Sequence, residues 1–448
     1  MWDKELVPVS PATSSSTGSL PVVPSAEPLT RLEADTGRPG FGARLAGIST
    51  DPVLGRLVAA TFVATLGRGV FLTLTVLYFS LIIGLPAGEV ALLLTLSGAV
   101  GVATSYLGGH VADLVSARRL LAALVVVEAL ALMAYPLANS FASALVVACL
   151  VTATERAANS TRGAIIARAF TGPNRVNARA VLRTVTNIGI ALGSAVGGAA
   201  LLIATPDAYR WIMVGAGVLT LASAGLLARL PRSVDAPSRK PSEGTTAVAL
   251  GPSPFRNPRY LGLTVLSGIF GMQFGLAEVG LPLWIVHDTD APVPLYSVLL
   301  ITNTILVIVF QVPLSRGTHD VRVAGRMSLV AGVLMVAACL FYAGSADVAV
   351  VAAIVFLLIG TIIHSFGEIL SSASNWGLSF ELADPSRAGA YQGLFAMGYS
   401  LGAMAAPLVV TVTVLNLGVP GWLILGAVFM AAAVGIWRIA VHRLPGSE

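Results

Sequence analysis

Residues 108–119 read GGHVADLVSARR and place a short polar turn between two long apolar runs. The runs cover residues 90–107 and 120–135, and each is close to the roughly 20 residues that a helix needs to cross a bilayer. The turn carries one acid, Asp113, and two bases, Arg118 and Arg119. It therefore predicts two antiparallel membrane helices joined by a charged loop.

The composition of the whole chain agrees with this prediction. Of the 448 residues, 56% are hydrophobic and only 11% are charged, whereas soluble domains carry about 25% charged residues. The apolar runs are continuous rather than alternating, which favours helices over a β-barrel. The cysteines Cys149 and Cys339 lie in separate apolar runs and predict neither a disulfide framework nor a metal site. The predicted fold class is an all-α polytopic membrane protein.

Twelve apolar segments follow a region rich in Ser, Pro, Thr and Ala. That region, residues 1–51, is predicted to be a disordered cytoplasmic tail. Residues 231–257 form the longest later polar interval and predict a cytoplasmic linker between six-helix bundles at 52–230 and 258–442, with a C-terminal tail at 443–448. The predicted membrane helices cover residues 55–83, 89–109, 118–137, 141–166, 177–203, 210–230, 259–286, 295–315, 324–343, 347–373, 388–412 and 420–440.

The basic residues predict the orientation of these helices. With the N-terminus in the cytoplasm, nearly all of them fall in cytoplasmic loops or in the linker, and the opposite orientation would place them outside. Both termini are therefore predicted to be cytoplasmic, in a multi-pass protein of the cell inner membrane.

The two halves of the chain repeat. Arg56 and Arg259 open corresponding helices, Asp113 and Asp320 lie in corresponding loops, and Gly189 corresponds to Gly398. This repeat predicts two related bundles about a pseudo-twofold axis.

The turn at residues 108–119 resembles the loop signature of the major facilitator superfamily, Gly-x-Leu-Ala-Asp-Arg-x-Gly-Arg-Arg/Lys. Gly109, Ala112, Asp113 and Arg118 match this signature. Leu114, Ser116 and Ala117 differ from it. The resemblance implies bundles that rock about a central cavity. It also implies a conformational switch at Asp113, Arg118, Arg119 and Asp320. Asp113 is expected to pair across the bundle interface with arginines or a helix N-terminus.

The fifth predicted helix carries glycines at four positions that resemble the Gly-x-x-x-Gly-Pro-x-x-Gly-Gly motif of exporters in this family. They are Gly189, Gly193, Gly197 and Gly198, and Ser194 replaces the proline. The resemblance implies export. The alternative is ordinary close packing of helices through glycines four residues apart.

Eight charged or titratable residues fall well inside the predicted spans, where a charge costs about 2.5–3.5 kcal/mol on insertion scales. They are Arg68, Glu128, Glu155, Arg156, Arg162, Glu278, His364 and Glu368. All except Glu128 fall in the first, fourth, seventh and tenth helices, which line the central cavity in the family that the chain resembles.

Glu155 is the leading candidate for proton coupling, because desolvation favours the protonated form of a carboxylate. His364 and Glu368 are spaced i, i+4 in the corresponding helix of the second half and are predicted to share this role. The alternative for Glu155 is a static salt bridge with Arg68 or Arg162.

Arg68, Gln273 and Glu278 are predicted to contact substrate, with Arg68 holding an anionic group or neutralising Glu155. Arg162 is either part of a weak resemblance to drug–proton antiporters or a side chain that reaches the membrane surface. Glu128 is expected to face a neighbouring helix rather than the cavity. Arg183 is expected to anchor the fifth helix at the inner surface.

These observations predict a secondary transporter rather than an enzyme. The sequence contains no Walker-type Gly-Lys-Ser/Thr motif, no His-Glu-x-x-His and no Cys-x-x-Cys, so no cofactor or metal is predicted and the proton gradient is the expected energy source. The expected function is proton-coupled export of amphiphilic small molecules or drugs by a monomer. The alternatives are a proton-coupled symporter for a small, anionic metabolite and a lipid translocator. The expected partners are a small-molecule substrate, protons and the lipid bilayer, and no nucleic acid.

Overall fold

A computed structural model describes residues 51–79, 83–201, 205–235 and 251–441, and these residues form helices and turns without any β-strand. Within them, twelve helical spans are long and apolar enough to cross a membrane. The predicted all-α fold with twelve membrane helices is therefore confirmed. The predicted N-terminal tail up to residue 50, the predicted C-terminal tail and the middle of the predicted linker, residues 236–250, lie outside the described residues.

The helices of the first half are α1 (Pro52–Leu77), α2 (Ala87–Ala112), α3 (Ala117–Ala134), α4 (Phe141–Ala169), α5 (Gly172–Leu201) and α6 (Pro206–Ala228). The helices of the second half are α7 (Pro258–Asp288), α8 (Leu295–Leu314), α9 (Val321–Ala343), α10 (Val350–Glu381), α11 (Ala388–Val410, extended by a π-helical turn to Leu415) and α12 (Val419–Val441). Helix α7 is not regular throughout, because it contains a π-helical turn at Leu276–Gly280.

Helices α1–α6 pack against one another and form the first bundle, and α7–α12 form the second bundle. The two bundles meet where α2, α4 and α5 contact α8, α10 and α11. Because the number of crossing helices is even, residues 51 and 441 lie on the same side. We call this side the terminal face and the opposite side the distal face. The loops that follow α2, α4, α8 and α10 also lie at the terminal face.

Polar capping residues fix where helices begin at the terminal face. Asp51 accepts hydrogen bonds from the amides of Val53 (2.8 Å) and Leu54 (3.1 Å) at the start of α1. Asn257 accepts a hydrogen bond from the amide of Tyr260 (3.1 Å) at the start of α7. These side chains satisfy amide groups that have no partner within the helix.

Two helices extend further than the sequence predicts. Helix α5 begins at Gly172 instead of residue 177, and α10 ends at Glu381 instead of residue 373. Polar residues in the first turns of α5 and small polar residues buried in the last turns of α10 hid these ends from a criterion based on hydrophobicity. The longer helices place several arginines and glutamates of α5 and α10 opposite one another.

Candidate functional site

A cavity lies between the bundles and has two adjoining lobes. The first lobe, of about 240 Å³, is lined by α1, α3, α4, α5 and one residue of α10. The second lobe, of about 310 Å³, is lined by α2, α4, α5, α7, α10 and α11. The lobes share the residues Arg156, Asn159, Arg179, Arg183, Thr186 and Trp376. The two lobes therefore form one cavity to which both bundles contribute.

The first lobe is rich in cationic groups. Five arginines and two glutamates line it, namely Arg68, Arg156, Arg162, Arg179, Arg183, Glu128 and Glu155. Two of the five arginines have a carboxylate partner: Arg68 pairs with Glu155, and Arg183 pairs with Glu368. Of the two salt bridges considered for Glu155, the structure therefore contains the one with Arg68.

The Arg183–Glu368 pair connects the two bundles. Arg183 also donates a hydrogen bond to the Ser372 hydroxyl, and the Asn303 amide donates one to the second oxygen of Glu368 (2.9 Å). The guanidinium lies over the Trp376 and Phe274 rings, 5.3 Å and 5.5 Å from their centroids.

The expectation that Arg183 anchors α5 at the membrane surface is wrong. Arg183 lies eleven residues after the start of α5 at Gly172, roughly 17 Å along the helix axis. That distance places its side chain in the cavity instead of at the surface.

Three arginines of the cavity make no ion pair with any described carboxylate. These are Arg156, Arg162 and Arg179. The Arg179 guanidinium lies 5.4 Å from the centroid of the Trp376 ring, and Nε of Arg162 is buried without a hydrogen-bond partner. Because Arg162 lines the first lobe, the alternative in which it only reaches the membrane surface does not hold.

The expectation that Glu128 faces a neighbouring helix rather than the cavity is also wrong. Glu128 lines the first lobe together with Val125, one turn earlier on α3. It makes no ion pair or hydrogen bond with any other described residue. The expectation followed from the resemblance to a family in which the first, fourth, seventh and tenth helices line the cavity, and it does not hold for this residue of the third helix.

His364 and Glu368 have different surroundings although they share one helix. Glu368 reaches Arg183 at the bundle interface, whereas His364 is buried inside the second bundle with its Nδ1 3.2 Å from the Tyr342 hydroxyl. His364 borders a separate small cavity of about 20 Å³ between α7, α8, α9 and α10. Their predicted proton-coupling roles stay predictions, but only Glu368 contacts a residue of the central cavity.

The structure does not bring Gln273 and Glu278 to the central cavity. Gln273 is fully buried and donates a hydrogen bond to the Ser371 hydroxyl (3.0 Å) within the second bundle. Glu278 is exposed on the π-helical turn of α7 and lines neither lobe. Of the three residues predicted to contact substrate, only Arg68 lines the cavity.

Asp113 joins the bundles at the terminal face. Its two carboxylate oxygens accept hydrogen bonds from the amides of Gly389 (2.8 Å) and Ala390 (2.7 Å) in the first turn of α11. The carboxylate also pairs with Arg168 at the end of α4. The carboxylate thus contacts the N-terminus of a helix in the other bundle, while its arginine partner belongs to its own bundle.

Among the described residues, the other members of the predicted switch make no hydrogen bond or ion pair with the opposite bundle. Arg118 pairs with Asp235, just after α6 (3.2 Å), and Arg119 is exposed. Asp320 caps its own helix by accepting hydrogen bonds from the amides of Arg322 (2.7 Å) and Val323 (3.0 Å). The bonds from Val323 and Arg322 lower the pKa of Asp320. The expected counterpart of Asp113 is therefore a local helix cap.

Three of the four glycines in the exporter-like motif pack α5 against α1. A side chain on Gly189 would collide with Thr65, one on Gly193 with the Leu66 carbonyl, and one on Gly197 would press on Thr73. Gly198 faces open space. Close packing accounts for Gly189, Gly193 and Gly197, and export stays a prediction.

The hydrogen bonds and ion pairs that join α1–α6 to α7–α12 in the described residues all lie in the terminal half of the molecule. From the terminal face inward they are Asp113 with Gly389 and Ala390, Arg175–Glu381 (3.2 Å), Ser105–Ser400 (3.1 Å) and Arg183 with Glu368 and Ser372. These contacts close the cavity toward the terminal face.

The sequence model of the family described as the Major Facilitator Superfamily matches residues 57–407, which is most of the chain. The chain belongs to the Major Facilitator Superfamily. Members of this superfamily are membrane transporters, and the chain is accordingly a multi-pass membrane transporter of the secondary type. No curated relative matches its sequence.

Solved structures of other superfamily transporters share the fold at low sequence identity. The human organic anion transporter MFSD10 (TETRAN) is 16% identical, with a TM-score of 0.65 over 86% of this chain and 99% of that chain. FucP in the outward conformation is 11% identical, with a TM-score of 0.69 over 87% and 99%. A bacterial homologue of the iron transporter ferroportin, in an outward-facing state, is 14% identical, with a TM-score of 0.66 over 87% and 98%. At these identities the likeness concerns the fold.

Proposed function

We propose that this superfamily member is a proton-coupled secondary transporter of amphiphilic organic anions, and that it works by alternating access. The observation that carries the proposal is the set of three cavity arginines, Arg156, Arg162 and Arg179, without a carboxylate partner in the described residues. The proposal combines the amphiphilic substrate predicted from the sequence with the anionic charge of the symporter alternative.

The charge of the cavity favours an anion over a cation. A guanidinium in a membrane interior is costly unless an anion or a hydrogen-bond acceptor offsets its charge. Carboxylates and sulfonates match the planar donor geometry of arginine, so they gain strong, charge-assisted hydrogen bonds there. A cationic drug would instead meet net electrostatic repulsion in the first lobe.

Aromatic residues give the second lobe its apolar surface. The rings of Phe274, Trp376, Phe395 and Tyr399 line it, beside the guanidiniums of Arg179 and Arg183. An amphiphilic anion can place its ring or chain against this surface while its charged group reaches an arginine. The likeness to a protein described as an organic anion transporter is compatible with this substrate class, although at 16% identity it concerns the fold.

Alternating access would use the contacts between the bundles. Opening at the terminal face requires the separation of Asp113 from α11 and of Arg183 from Glu368. Loss of these contacts allows the two bundles to rock about the cavity. Protons supply the driving force when their binding changes the charge of a cavity carboxylate. The sequence predicts Glu155 for this role, and Glu128 borders the same lobe.

A pair of probes of equal shape and opposite charge tests the substrate class. We expect purified protein in proteoliposomes to accumulate radiolabelled naphthalenesulfonate when a pH gradient is imposed, and to exclude naphthyltrimethylammonium. Accumulation should disappear when an ionophore collapses the gradient. Preference for the cationic probe, or accumulation that does not respond to the gradient, would contradict the proposal. Counterflow from oriented vesicles gives the direction of transport and tests the export prediction.

A further inference from the structure

The two acids of the first lobe differ in their partners. Glu155 on α4 pairs with Arg68 on α1, so each group offsets the charge of the other. Glu128 on α3 borders the same lobe but makes no ion pair or hydrogen bond with any described residue. Glu128 lies deep within its helix, eleven residues after the start of α3 at Ala117, which is roughly 17 Å along the axis.

The charged groups that act on Glu128 line the first lobe. They are Glu155, Arg68 and Arg162, and Arg179 and Arg183 of α5 line the same lobe. The other helices that pack against α3 carry their titratable groups near their ends. These are Glu89, Tyr106 and His110 on α2, and Asp207, Tyr209 and Arg210 on α6. Glu128 therefore has charged neighbours mainly toward the cavity.

An unpaired carboxylate at this depth has two ways to avoid an uncompensated charge. It can bind a proton from water in the cavity, or it can act as a counter-ion for an arginine that has none. Of the three arginines without a carboxylate partner, Arg162 is the one whose charge acts on Glu128, and its Nε is buried without a hydrogen-bond partner. A charged Glu128 therefore competes electrostatically with any anion that approaches Arg162.

We propose that Glu128 carries the coupling proton, and that this proton and a substrate anion bind to the first lobe together. When Glu128 takes up a proton it becomes neutral and ceases to repel an anion at Arg162. Release of the proton restores the negative charge and expels the anion. The coupling of this proton to an anion rests on the proposed function, whereas the uptake of a proton by Glu128 does not.

Linkage makes the inference quantitative. If one proton must be bound for the anion to bind tightly, the apparent affinity for the anion depends on pH. It falls up to about tenfold per pH unit once the pH exceeds the range in which Glu128 loses its proton. Glu128→Gln removes the charge and should therefore mimic the protonated form of Glu128 at every pH. The variant should bind anions tightly and independently of pH, and should lose accumulation driven by a proton gradient while retaining exchange of anion for anion.

Infrared difference spectroscopy tests the proton site without any substrate. We expect membranes with wild-type protein to show the carbonyl band of a protonated carboxylic acid when the pH is lowered. The band should vanish in Glu128→Gln, persist in the matched variant Glu155→Gln, and return at a shifted position in Glu128→Asp. Loss of the band in Glu155→Gln with retention in Glu128→Gln, or a band that neither substitution changes, overturns the assignment.

Binding of naphthalenesulfonate at several pH values tests the coupling. The affinity should depend on pH in the wild type and in Glu155→Gln, and should be independent of pH in Glu128→Gln. Retained pH dependence in Glu128→Gln overturns the inference while leaving the proposed substrate class intact. If no form binds the probe, the proposed function fails for this anion and the coupling fails with it, whereas the infrared result still decides the proton site.

Discussion

Two arginine–glutamate pairs lie near the middle of the membrane helices, and they differ in what they join. Arg68 and Glu155 connect α1 with α4 inside the first bundle. Arg183 and Glu368 connect α5 of the first bundle with α10 of the second. A rocking motion that keeps each bundle rigid leaves the first pair intact and must break the second.

The two pairs also differ in their solvent exposure and in their hydrogen-bond partners. The side chains of Arg68 and Glu155 are 37% and 23% exposed, so water of the cavity can compensate for part of their charge. Those of Arg183 and Glu368 are only 13% and 7% exposed and are held by Ser372 and Asn303. Removal of one partner from a buried pair leaves an uncompensated charge, which costs about 3–5 kcal/mol. The pair between the bundles therefore stabilises one conformation, whereas the pair within a bundle mainly neutralises charge.

The largest expected effect is that of Arg183→Gln on the equilibrium between conformations. Loss of about 3–5 kcal/mol from the state closed at the terminal face corresponds to a shift of more than about a hundredfold. Spin labels at exposed positions of the two bundles, Val115→Cys and Arg316→Cys, should move apart at the terminal face. Pulsed electron resonance measures this distance in protein whose native cysteines have been replaced.

Arg68→Gln is the matched control for that experiment, because it removes an arginine of the same cavity that has a partner in its own bundle. It should leave the distance between the labels unchanged while impairing transport. If Arg68→Gln widens the terminal face as much as Arg183→Gln does, the distinction between the two pairs is wrong.

Asp113 makes a second contact between the bundles, and its substitution should have a smaller effect on the conformational equilibrium than Arg183→Gln. Asp113→Asn removes the charge that faces the amides of Gly389 and Ala390 but keeps one oxygen that can accept. Charge-assisted hydrogen bonds contribute about 1.5–3 kcal/mol, and an anion at a helix N-terminus contributes about 0.3–1 kcal/mol. The same labels should show the terminal face open in a smaller fraction of molecules than in Arg183→Gln.

Arg118→Gln supplies the control for Asp113→Asn. Arg118 lies in the same loop but pairs with Asp235 of its own bundle, so its loss should not change the distance. An unchanged distance in Asp113→Asn would show that this contact does not hold the bundles together.

The sequence predicted the fold well because hydrophobic length and loop charge are properties of single segments. The number of helices, their approximate spans and the repeat of two halves could all be read from such segments. The surroundings of a residue on a membrane helix could not be read in the same way. Beyond Arg118 and Arg119 in its first turn, helix α3 is apolar on all its faces except at Glu128, so hydrophobicity does not tell which face meets the cavity.

The cost of a charge in the membrane was the signal that could have found the missed residues. That cost alone indicates that Glu128 needs water or a partner, whereas the family resemblance points away from the cavity. For Arg183 the error came from the start of α5, since a helix that begins at Gly172 carries this residue to the middle of the membrane. Pairing across bundles, as between Arg183 and Glu368, depends on the tertiary arrangement and leaves no local pattern in the sequence.

The repeat of Asp113 and Asp320 shows a limit of a different kind. The two acids correspond in sequence, but Asp113 follows the last turn of α2 whereas Asp320 precedes the first turn of α9. The first position directs the carboxylate to another helix, and the second directs it to the amides of its own helix. Correspondence in sequence therefore predicts the loop but not the contact.

The smallest expected effect is that of Asp320→Asn. It should leave the label distance unchanged because, in the described residues, the Asp320 side chain hydrogen-bonds to the amides of its own helix. Its effect is instead on stability and depends on pH. The amides of Val323 and Arg322 lower the pKa of Asp320 in the folded state. Its contribution to stability is therefore complete above its unfolded pKa, near 3.9, and is lost as the pH falls through the lower folded value.

Asparagine also caps helices but does not titrate. On acidification the thermal midpoint of the wild type should consequently fall further than that of Asp320→Asn, with Asp320→Ala lower than both at neutral pH. Equal falls for the wild type and Asp320→Asn would show that the cap does not titrate with folding, and a changed label distance would place Asp320 in the switch after all.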